Sequence, residues 1–168
     1  MRLTHWLAGW TPRQRLCGRS LRRQRRYEVA LVAELLEDRT LLSTFTVNSP
    51  ADTVDANPGD GVAADDDGDT TLRAAIMEAN ALAGPDTINL PAGTYTLVIT
   101  GVDEDAAATG DLDISSDIVV SGAGAGTTII DAAAIDRVLH ILNEAVVEVA
   151  GVTIEGGQTD VYEFGGGA

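Results

Sequence analysis

The chain contains no lysine, so all eleven of its basic residues are arginine. It has one cysteine, Cys17, which excludes an intramolecular disulfide. Aromatic residues are scarce at two Phe, three Tyr and two Trp, and beyond residue 43 only Phe45, Tyr95, Tyr162 and Phe164 remain, so stacking platforms for sugars or bases are few. The longest apolar run after the leading arginines is Val29 to Ala33, too short for a signal-peptide core and far short of a membrane span. With two His and one Cys there is no Cys/His zinc pattern, and neither a nucleophile elbow nor a phosphate loop occurs.

What is present is divided unevenly. Residues 1–43 hold nine Arg against Glu28, Glu34, Glu37 and Asp38, a net of +5, while residues 44–168 hold Arg73 and Arg137 against 22 acids, a net of −20. The split predicts two parts, a basic leader over 1–43 and an acidic body over 44–168. The cluster Arg19, Arg22, Arg23, Arg25 and Arg26 would suit phosphates, but the attached body would repel a polyanion, so no nucleic-acid partner is expected.

Within the body, Leu72, Ala75, Ile76, Ala79, Leu82 and Ala83 recur at three- and four-residue spacing, which predicts a helix of about three turns over 72–83. Thr70 or Thr71 is placed to cap its start, and Gly84-Pro85 to end it. The period then changes from 3.6 to 2. Ile88 and Leu90, then Tyr95, Leu97 and Ile99, alternate with polar residues around a Pro91-Ala92-Gly93 turn. Further alternation at Leu112-Ile114, Ile118-Val120, Thr128-Ile130, Leu139-Ile141, Val147-Val149 and Val152-Ile154 gives short strands joined by Gly-rich corners. Equivalent starts fall 24 residues apart (88 to 112, 128 to 152) or 21 apart (97 to 118, 118 to 139), intervals that fit stacked turns of chain. Asn-Gly hairpin signals are missing, which disfavours an antiparallel sandwich.

The stretch TLRAAIMEANA followed by DTINLPAGTYTL resembles the CSLREAI segment that opens many bacterial surface-exposed, right-handed parallel β-helix proteins of the pectate-lyase-like fold. The resemblance implies an all-β chain, a right-handed single-stranded parallel β-helix of which only the N-terminal coils are present, with a short capping α-helix over the first coil. Thr70 stands where the family motif has Cys, and Ala74 where it has a Glu that would complete a capping box with Thr71. In that family a Gly-Gly-Gly turn opens another coil, so the ending Gly165-Gly166-Gly167-Ala168 implies a fragment whose exposed C-terminal β edge self-associates. The leader segment YEVALVAELLEDRTLLS resembles the LEPR-XLL segment of exported planctomycete-type proteins, through Leu36-Glu37-Asp38-Arg39 and Leu41-Leu42-Ser43. That resemblance implies export to the cell surface or the extracellular space. The residues themselves allow a helix carrying Val29, Val32, Leu35, Leu36 and Leu42 on one side, or a disordered leader.

Two groups of side chains are candidates for chemistry. Asp65, Asp66, Asp67 and Asp69 surround Gly68 and offer hard oxygen donors suited to Ca²⁺, although the spacing is not that of an EF-hand and a solvated acidic loop that places negative charge before the helix N-terminus accounts for them as well. Asp131, Asp136, Arg137 and His140 form the single grouping that could hold a catalytic site. Polysaccharide lyases on this fold require a strong base beside Ca²⁺-binding acids, and inverting hydrolases require carboxylates about 6.5–9.5 Å apart. Asp131 and Asp136, however, flank an Ala132-Ala133-Ala134 corner where turn acids are routine, and bases are scarce. The expected function is an exported, non-catalytic surface module, structural, adhesive or glycan-binding, that meets extracellular polysaccharide or other surface proteins. A polysaccharide lyase or glycoside hydrolase is the alternative.

Overall fold

The computed structural model of the chain describes residues 42–102 and 104–158. The leader expected over 1–43 therefore lies outside the described residues except for Leu42 and Ser43, as do Cys17, Tyr162 and Phe164. The described body is all-β with one short helix. β1 (Thr44–Thr46) precedes a long loop and α1 (Leu72–Ala81). There follow β2 (Asp86–Leu90), β3 (Gly93–Thr96), β4 (Leu112–Ile114), β5 (Ile118–Gly122), β6 (Thr128–Asp131), β7 (Leu139–Ile141), β8 (Val147–Ala150) and β9 (Thr153–Glu155).

The strands form three small sheets ordered β1-β2-β5-β8, β3-β6-β9 and β4-β7, and every pairing is parallel. A parallel neighbour cannot follow through a tight hairpin, because the chain must first cross back to its starting end. Here strands of the other two sheets make the crossing, so that from β2 onward the chain visits the first, second and third sheets in turn and then repeats. In-register partners are Ile88, Val120 and Val149 in the first sheet, Tyr95, Ile130 and Ile154 in the second, and Ile114 and Ile141 in the third. Successive partners lie 32 and 29 residues apart (Ile88 to Val120, Ile118 to Val147), 35 and 24 apart (Tyr95 to Ile130, Ile130 to Ile154), and 27 apart (Ile114 to Ile141). Of the expected equivalences only 128 with 152 keeps the observed spacing. Leu112 opens the third sheet rather than answering Ile88, because the segment after β3 makes a long excursion before rejoining at β4.

Ile88, Leu90, Leu97, Ile114 and Ile130 are buried as the alternation predicts, in one core with Phe45, Val47, Leu112, Ile118 and Val120. Burial then decays along each register. Val149 is only half-buried, and Ile141 and Ile154 are 52% and 44% exposed, because no described strand lies beyond β7, β8 or β9. Ile154, though the register partner of the buried Ile130, is thus left partly exposed.

α1 packs on β2 and β4 with Leu72, Ala75, Ile76 and Ala79 buried. Its N-cap is Thr71, whose Oγ1 accepts from Ala74 N at 3.1 Å and donates to the Thr53 carbonyl at 2.6 Å. The helix stops at Ala81, two residues before the expected end. Leu82 turns extended (φ −90°, ψ 162°) so that its side chain meets the core as the chain heads for β2. The opposite face of α1 is covered as well, since Glu78 is buried and accepts from Gly59 N and Gly61 N of the preceding loop.

Candidate functional site

Arg73, on α1, sets up the region where the charged groups meet. Its guanidinium is buried and pairs with Asp52, Nε to Oδ1 at 2.6 Å, while Nη1 donates to Ala107 O and Nη2 to Gly110 O, both at 2.8 Å. Asp52 Oδ2 accepts from Val98 N at 2.7 Å and Ile99 N at 2.9 Å. A buried charge persists only when paired and fully hydrogen-bonded, and this one pins the 97–111 excursion to the helix at both ends. Glu104 shapes the excursion from within, accepting from Ala106 N at 3.0 Å and Thr109 N at 2.6 Å.

The excursion lies over β4 and buries Asp113, the central residue of that strand. Asp113 is the register partner of His140 on β7. Partners in a parallel ladder project to the same face, so the two side chains meet, with Asp113 Oδ1 2.9 Å from His140 Nδ1. Asp113 Oδ2 accepts from Ala107 N at 3.1 Å, where Ala107 holds a left-handed φ of +57°. Burial pushes the Asp113 carboxyl above its ordinary pKa; the Ala107 and His140 hydrogen bonds oppose this, and the charges of Asp111 and Glu104 add to it. Asp105 Oδ1 stands 3.9 Å from the same His140 nitrogen. Beside this group Arg137 Nε donates to Asp111 Oδ2 at 2.7 Å and lies 4.0 Å from Asp136, and the Asp111 hydrogen bond raises the Arg137 pKa further.

Of the four residues singled out for catalysis, Asp136 and Arg137 are thus joined, through Asp111, to the neighbourhood that holds His140. Asp131 spends Oδ1 on Ala133 N at 2.8 Å, a turn bond, and makes no described hydrogen bond to the other three. In the acidic loop, Asp65 is the organiser. Oδ1 accepts from Asp67 N at 3.0 Å and Asp69 N at 2.9 Å, and Oδ2 from Thr53 Oγ1 at 2.7 Å, bonds that lower its pKa, that to Thr53 most. Asp66, Asp67 and Asp69 face solvent, and Asp65, Asp66 and Asp67 line an open pocket with Asp52, Thr53, Val54 and Ile99.

Sequence reasoning missed Asp105, Asp111 and Asp113. The alternation of Asp111 and Asp113 around Leu112 was a legible signal of two acids on one strand face, but their pairing with Arg137 and His140 crosses 26 and 27 residues and depends on register. No protein-family model, curated protein or solved structure matches this chain.

Proposed function

We propose that the body comprises the first coils of a right-handed parallel β-helix, and that the protein is an exported, non-catalytic surface module of structural, adhesive or glycan-binding type. The cyclic assignment of strands to three parallel sheets carries this reading, because a solenoid is the simplest path that returns each strand beside the one a full turn earlier. The packing of α1 against β2 and β4 supports its reading as a lid on the first coil, which the likeness of Thr71–Leu97 to the CSLREAI segment implies. The non-catalytic part rests on the fate of the two arginines. Arg73 is sealed in the interior, and Arg137 is held by Asp111 and Asp136, so neither is a free base facing a substrate. Export rests on the leader's likeness to the LEPR-XLL segment.

Two measurements test the reading. Deleting residues 1–41 leaves the β content by circular dichroism unchanged and retains the product inside a cell that exports the full chain; loss of the β signal overturns the leader's role. A glycan array run beside a lyase assay on pectate returns binding or nothing, without cleavage. Cleavage abolished by Arg137→Ala or Asp136→Asn overturns the non-catalytic assignment in favour of a lyase or hydrolase.

A further inference from the structure

From the meeting of Asp105, Asp113 and His140, we propose a binding site for one divalent first-row transition ion of the Zn²⁺ class. The inference stands apart from the surface-module reading and does not need it. One ligand atom from each of the three residues, an imidazole nitrogen and two carboxylate oxygens, lies within 4.8 Å of the others, an arrangement found at this one place among the described residues.

Two of the donors are set by backbone. Asp113 and His140 are the central residues of β4 and β7 and occupy partner positions in the ladder, so their spacing does not depend on a flexible loop. Asp113 is fully buried, and its second oxygen is held by Ala107 N, which leaves Oδ1 directed at the imidazole. A backbone donor on the non-ligating oxygen is how metal-binding carboxylates are commonly oriented. Donors about 2.0–2.2 Å from a shared ion lie roughly 2.9–3.5 Å apart, depending on the coordination angle. The 2.9 Å between Asp113 Oδ1 and His140 Nδ1 already meets this. Asp105 must close from 3.9 Å, and its side chain, 74% exposed, has room to do so.

The charge count agrees. Glu104, Asp105, Asp111 and Asp113 gather here with Arg137, while the nearby Arg73 is already answered by Asp52. Arg137 answers Asp111, and Glu104 is taken up by two backbone N–H groups, which leaves Asp105 and Asp113 beside the His140 imidazole. Two carboxylates and an imidazole neutralise a dication, and the nitrogen selects a borderline ion over Ca²⁺ or Mg²⁺. Three protein ligands leave the remaining positions to water on the exposed Asp105 side.

The test is calorimetric titration of the metal-free full chain with Zn²⁺ near neutral pH. His5 and Cys17 are the competing soft ligands of the leader, so the parent protein carries His5→Gln and Cys17→Ser. That change also makes His140 the sole imidazole, whose proton resonance reports directly. The expected result is one Zn²⁺ per chain with a shift of that resonance, affinity falling at least about tenfold in Asp105→Asn and binding lost in His140→Gln. Asp105 is exposed, so its variant folds regardless of the outcome at His140. Absence of binding at millimolar Zn²⁺, or stoichiometric binding that survives both substitutions, overturns the proposal. A preference for Ca²⁺ unaffected by either substitution does so as well.

Discussion

Asp55 shows what a single buried carboxyl does to this body. It is 5% exposed, Oδ1 accepts from Asn57 N at 3.0 Å, and Oδ2 has no hydrogen-bond partner among the described residues. Burial raises its pKa, the Asn57 hydrogen bond opposes that, and the charge of Glu78 raises it again. A carboxyl whose folded pKa lies above its unfolded value binds protons more tightly in the native state. Its contribution to stability is therefore fully present below the unfolded pKa and is lost as pH rises through the folded one. Asp55→Asn removes the charge and supplies an amide that can donate to Glu78. We expect it to stabilise the body by about 1–2 kcal/mol at neutral pH and by progressively less toward acid, as read from urea melts of both proteins across pH. Nothing in the sequence marks Asp55 among 22 body acids. Its burial depends on α1 bringing Glu78 against the 55–61 loop, a contact between residues 23 apart.

At the scale of elements, the corners decide how closely successive strands approach. Gly122 ends β5 opposite Gly151, and a Cβ on either residue would collide with the backbone carbonyl of the other. Gly151 also holds a φ of +67°, in the left-handed region where a side chain is strained. Gly126, a few residues along the same corner, faces open space. Gly122→Ala is expected to destabilise by about 1–3 kcal/mol through overpacking of backbone on backbone, whereas Gly126→Ala changes stability by less than about 0.5 kcal/mol. Thermal melts of the two variants side by side check the contrast; equal effects would mean that the close approach is not maintained. The Gly-rich run was legible as a corner, since clustered glycines punctuate strands. Which glycine is indispensable was not, because that depends on the neighbour a full turn away.

For the molecule as a whole, the falling burial along the registers predicts association. Ile88 and Val120 are sealed while Val149 is half-buried, and Ile141, Ile154 and Val146 stand 52%, 44% and 71% exposed at the end where no described strand follows β7, β8 or β9. Open parallel edges bearing apolar residues pair with whatever edge is available, and a second copy of this chain supplies one. Sedimentation of the full chain should show mass rising with concentration, and Ile141→Lys with Ile154→Lys should return it to the monomer; a monomer at every concentration would refute the idea. Among the described residues no helix is long and apolar enough to cross a membrane. The sequence by itself determined most of the strand positions, a helix start capped at Thr70 or Thr71 and the division of charge, because alternation, capping and composition are local and survive without knowledge of contacts. The tertiary structure decided the rest. Register paired Asp113 with His140 and drew Asp111 to Arg137. Burial made Arg73 a clamp on the excursion over 97–111, and that excursion set turn lengths that periodicity alone misassigned. Each of these joins residues more than twenty positions apart, and the energy of such a contact resides in neither residue until the chain has closed on itself.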